Sequence, residues 1–163
     1  MKILLIATFG LAAWAQTLDI NLDALSAKAK EKAEITLEGP LLAQALQKAP
    51  EKVKGAVANV SRLFVRHYEF EKPGEYSNSD LENIRKQVSN STDWSRIVST
   101  KEEHESVDIY MLNQGGKTTG FLLIAAEEKE LTVVHVVGSI DLASLKEVVN
   151  STIHYDLKSA EGQ

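Results

Sequence analysis

GFLLIAA (residues 120–126) and LTVVHVV (131–137), separated only by EEKE (127–130), decide the fold class. Both runs are continuously apolar and lack a helical period, and seven residues is a strand's length. The four polar residues between them form a tight hairpin connection, which makes the two strands antiparallel neighbours. Being apolar at consecutive positions, they are apolar on both faces, unlike the alternating strands of a half-solvated sheet. Such strands belong at the centre of a sheet, or have their second face covered by a helix, another copy or a ligand.

The flanking chain extends this pattern. Trp94 to Thr100 alternates, as do Val107, Ile109 and Met111, and Asn113-Gln114-Gly115-Gly116 reads as a hairpin loop with glycines suited to positive φ. Four consecutive strands with short connections predict a meander. Earlier, LFVRHYEF (63–70) is a strand stopped by Lys72-Pro73-Gly74, and AEITL (33–37) a brief one. Helical stripes fall at Leu22, Leu25 and Ala29, then at Leu42, Ala45, Leu46 and Ala49, opened by Gly39-Pro40 and ended by Pro50. A third, at Leu81, Ile84 and Val88, follows a capping box read at Ser79 and Glu82. A last helix starts near Asp141, with Leu142, Leu145, Val148 and Val149 facing inward. The order predicts an α+β fold: a mostly antiparallel sheet of about five to six strands, with three to four helices packed mainly on one face.

The first fifteen residues, MKILLIATFGLAAWA, have another purpose. Lys2, the apolar run Ile3–Ala13 and the small-residue ending Ala13-Trp14-Ala15 have the layout of a secretory signal peptide cleaved between Ala15 and Gln16. The run falls short of the roughly 20 residues of a membrane span. The expected organisation is a signal peptide (1–15), one α+β domain (16–157) and a frayed tail (158–163). The expected location is the periplasm, or outside the cell by secretion, with the mature chain soluble and not inserted in the membrane. There is no cysteine, which fits a bacterial periplasm better than a disulfide-dependent extracellular domain and excludes thiol catalysis and iron–sulfur ligation. The net charge of −5 gives no electrostatic reason to bind nucleic acid. Asn59, Asn90 and Asn150 open N-x-[ST] sequons, read as chance occurrences in a bacterial chain.

Catalytic signatures are missing. His67, His104, His135 and His154 have no metal-ligand spacing, so no metal or cofactor is expected. His135 lies in phase with Leu131, Val133 and Val137 and reads as a core or edge histidine with one backbone partner. No G-x-S-x-G or S-x-x-K occurs, and Gly115-Gly116-Lys117-Thr118 bridges two strands instead of opening a helix, with Met111 where a phosphate-binding loop needs glycine. Arg62, Arg66 and Tyr68 share a strand face with Phe64 and Phe70, and Arg96 could lie beside them. Such an arginine ridge can grip a carboxylate or phosphate. It can equally be a solvated face with its stems over aromatic rings. Arg62, Arg66 and Arg96 are the candidate ligand-binding residues, and no catalytic residue is assigned.

EITLEGPLL (34–42), LFVRHYEFEKPGEYS (63–77), DLENIRKQ (80–87), DWSRIVS (93–99) and ELTVVHVVGSIDLASL (130–145) resemble the pattern of domain of unknown function 4252 (DUF4252), a family of exported bacterial proteins. The resemblance spans about Leu18 to Val149. It implies a small exported α+β domain and carries no catalytic residues with it. Some relatives carry a lipoprotein leader, from which this cysteine-free chain departs. The reading is of a non-catalytic binding or interaction module of the cell envelope, its partner an envelope protein or a second copy meeting it through the apolar sheet face. The alternative is a hydrolase-like small-ligand enzyme with a polar cleft near Arg62, Arg66, His67 and Tyr68.

Overall fold

The computed structural model describes residues 18–141 and 143–145. The stretch expected to be a signal peptide, with its Ala15–Gln16 junction, and Leu142, Val148, Val149 and the expected tail 158–163 lie outside the described residues. In chain order the elements are α1 (Asp23–Lys28), β1 (Glu31–Glu38), α2 (Gly39–Gln47), α3 (Glu51–Ala56), β2 (Val60–Glu69), α4 (Asn78–Ser89), β3 (Trp94–Lys101), β4 (Glu105–Gln114), β5 (Lys117–Glu127) and β6 (Glu130–Gly138). Residues 143–145 are helical, and Asp141 caps them by accepting from the Ser144 amide at 2.9 Å.

All six strands form one antiparallel sheet in the order β1-β2-β6-β5-β4-β3. The meander of β3 to β6 is present, and β6 pairs with β2 to add the N-terminal strands. The two doubly apolar strands, β5 and β6, are therefore the central pair. The fold is α+β, as the strand pattern requires.

The helices do not keep mainly to one face. Leu42 of α2, Val53 of α3, Val57 just after it and Leu145 pack with Val65, Ile109, Leu123, Val134 and Val136 on what we term the first face. Leu25 of α1 and Leu81, Ile84 and Val88 of α4 pack with Tyr68, Leu122, Ile124, Leu131 and Val133 on the second. The reason is in β5 itself: Leu122 and Leu123 are adjacent, point to opposite faces and are both buried, so each face needs its own cover. That cover comes from the chain, which leaves β5 and β6 no open apolar face for self-association. Exposed large apolar side chains among the described residues are Leu41 and Ile97, set apart on α2 and β3.

Two helix boundaries also differ. Pro50 does not simply end α2; with φ −56° it caps the start of α3, a helix the stripe analysis passes over. The capping box of α4 is Ser77 with Asp80, two residues before the serine expected. The Ser77 amide donates to the Asp80 carboxylate at 2.8 Å, and that hydrogen bond holds the Asp80 carboxyl below the usual range. Ser79 lies inside the helix.

Candidate functional site

The register of the sheet places side chains in rows. One row on the second face runs Thr36, Phe64, His135, Leu122, Tyr110, Arg96. The row on one side runs Glu38, Arg62, Val137, Gly120, Leu112, Trp94, and on the other Glu34, Arg66, Val133, Ile124, Asp108, Ser99. Period-two alternation puts Arg62, Phe64, Arg66 and Tyr68 on this face. His67 points to the first face, where its Nδ1 meets the Thr132 hydroxyl at 2.9 Å. The four side chains of the cleft reading therefore do not converge. Tyr68 is buried as well, donating to Glu34 at 2.9 Å, and burial pushes its hydroxyl up to about 12.

What does assemble is an arginine–aromatic surface. The guanidiniums of Arg62 and Arg66, two residues before and after half-buried Phe64 on β2, lie 5.8 and 5.9 Å from its ring centroid. Such contacts contribute about 0.5–1 kcal/mol each when exposed. Arg62 is paired with Glu38. Arg66 donates through Nη1 to the carbonyls of Ile35 (2.8 Å) and Val65 (3.0 Å), and through Nη2 to the Thr36 hydroxyl at 3.2 Å. Beneath them His135 stacks on Phe64, centroids 5.4 Å apart and planes at 21°. Trp94 reaches from β3 to set its ring 5.6 Å from His135 at 65°. Burial, with help from Arg62, pushes the His135 imidazole down to about 4, so it is neutral at ordinary pH.

Arg96 stands at the far end of the Phe64 row and belongs to a different cluster. Its guanidinium is 3.6 Å from Asp108, a carboxylate that is 1% exposed. Arg85 of α4 grips the same carboxylate through Nε at 2.8 Å and Nη2 at 2.6 Å, and Ser99 donates to it at 2.8 Å. This fork ties α4 to β4 and fixes the helix over the second face. Sequence reasoning missed it because Asp108 sits on the polar phase of the Val107–Ile109–Met111 alternation. The available signal was Tyr110 and Leu112 in the same phase, which mark that phase as buried too.

A concavity of about 410 Å³ lies away from this surface, among Tyr76, Ser77, Leu81, the 102–105 turn and Glu127–Glu128. His104 Nδ1 is 2.6 Å from Glu128 there, and the Tyr76 hydroxyl donates to the Glu127 and Glu130 carbonyls. The described residues hold no cluster of three or more histidine and carboxylate groups that could bind a metal. No helix among them is long and apolar enough to cross a membrane.

Fold and surface together define a two-faced, helix-covered antiparallel sheet with an arginine–aromatic patch on one face. The model of a family described as domain of unknown function (DUF4252) matches residues 26–148. The chain belongs to that family. Neither the comparison with curated proteins nor that with solved structures finds a match.

Proposed function

We propose that this chain is an exported, periplasmic, non-catalytic binding module of the bacterial cell envelope, with Arg62 and Arg66 beside Phe64 as its ligand-facing surface, and Arg96, held at Asp108 in a separate cluster, apart from it. The observation that carries the reading is half-buried Phe64 with two guanidiniums 5.8 and 5.9 Å from its ring centroid, on a protein of net charge −5. The two guanidiniums put charge and hydrogen-bond donors beside one ring on an acidic chain, with Glu38 and Glu34 next to them limiting the local excess of positive charge. Export is supported by the leader-like first fifteen residues, whose removal would leave a chain starting at Gln16. No comparable convergence of side chains supports the hydrolase-like reading.

Two measurements test it. Mass analysis of the protein recovered from the periplasm of a Gram-negative host gives a chain beginning at Gln16; an intact N-terminus in the cytoplasm would remove the export claim. A photoreactive residue at exposed Thr36, beside Phe64, gives a covalent adduct in living cells that disappears with Arg66→Gln. An adduct insensitive to that substitution, or none, would remove the surface from consideration.

A further inference from the structure

His135 is the buried titratable side chain that the packing does not account for. It is 6% exposed, in a central strand, and meets Phe64 and Trp94 by its ring. The other buried polar side chains of the described residues are served: Thr132 by His67, Asp108 by Arg85 and Ser99. Among the described residues no hydrogen bond reaches the His135 imidazole. Yet no fully enclosed side-chain nitrogen or oxygen lacks a partner in the described residues, so the imidazole nitrogens lie where the residue opens outward.

The groups around that opening define what it can accept. Phe64 and Trp94 offer ring surface, and the Arg62 and Arg66 guanidiniums lie beside Phe64. A neutral imidazole supplies one N–H donor. Glu38, paired with Arg62, and Glu34, across from Arg66, temper the positive charge. A cation meets two arginines here, and a tetrahedral, heavily hydrated anion gains nothing from ring faces.

We infer that His135, Phe64, Trp94 and the flanking arginines form a subsite for a carboxylate carried on a flat apolar group. The His135 N–H donates to a carboxylate oxygen, the guanidiniums supply the charge, and the rings cover the apolar part. This rests on the surface proposed above and names its ligand class.

The test is an NMR titration of the purified protein with benzoate, followed at the His135 imidazole and the Trp94 indole. Acetate, inorganic phosphate and benzyl alcohol serve as single-feature controls. Benzoate is expected to shift both groups saturably and to bind more tightly than any control. His135→Phe keeps the ring stack, removes the donor and is expected to weaken binding about tenfold, the worth of one hydrogen bond to a charged group. Should that variant fail to fold, Arg66→Gln carries the same expectation. No saturable shift, unchanged affinity in the variant that folds, or phosphate binding as tightly as benzoate would overturn the subsite. An adduct from Thr36 in cells without a benzoate shift removes the carboxylate class and leaves the surface; neither adduct nor benzoate shift removes both.

Discussion

The two faces of the sheet are covered in the same way and built differently. On the first face the cluster under α2 and α3 is apolar throughout, and its one buried polar side chain among the described residues, Thr132, is matched by His67. The second face, under α1 and α4, buries Asp108 and His135 and holds Tyr68 against Glu34. Apolar burial contributes stability without direction. Polar groups buried with partners contribute little net stability but fix one arrangement of the elements. The first face thus holds the sheet together, and the second decides where α4 sits and which side chains surround the patch.

Removing half of the Arg85–Asp108 pair is the strongest way to break this contrast. Arg85→Met strands a buried carboxylate and is expected to cost about 3–5 kcal/mol in urea unfolding. Arg85→Met combined with Asp108→Leu is expected to recover most of that loss, because an apolar pair of similar volume often replaces a buried ion pair without penalty. A double variant as unstable as the single one would mean that the pair itself supplies the stability of this face.

Leu122→Ala and Leu123→Ala sharpen the comparison from the apolar side. The two residues are neighbours on β5 that point to opposite faces, 0% and 5% exposed. Each is expected to cost about 3 kcal/mol. A tolerant Leu122 would show that the second face is not a true core.

His135 adds a pH dependence confined to the second face. Its imidazole titrates near 6.5 when unfolded and near 4 when folded, so between those values the unfolded chain binds the extra proton. Stability is full above about pH 6.5 and falls as pH drops toward 4, by roughly 3 kcal/mol in all. Urea melts at about pH 7 and pH 4.5 read the loss, and His135→Phe removes this component. The smallest effect is at the helix cap: Ser77→Ala should cost about 1 kcal/mol, whereas Ser79→Ala should change little.

Much of this fold was legible because alternation and continuous apolar runs report burial directly. LTVVHVV and GFLLIAA announced the central pair, and Leu81, Ile84 and Val88 announced α4. The cap was misplaced because Ser77 with Asp80 and Ser79 with Glu82 have the same spacing, and spacing alone does not say which serine adopts extended backbone. The α3 helix was missed because proline both ends and begins helices. The assignment of helices to faces depends on which way each connection turns, which local pattern does not encode. At the site, Arg62, Phe64 and Arg66 were legible as one phase of one strand. Trp94 beside His135 and Arg85 on Asp108 were not, because those contacts join elements whose neighbours are set by strand order.

The most direct measurement places the same photoreactive residue at two positions, one for each side of the sheet, in living cells. Thr36 borders the arginine–aromatic patch on the second face; Leu41, 59% exposed, lies on α2 over the first. The account predicts a specific adduct from Thr36, lost with Arg66→Gln, and none from Leu41. Adducts from Leu41 alone, or equally from both positions, would contradict the claim that the polar face carries the function.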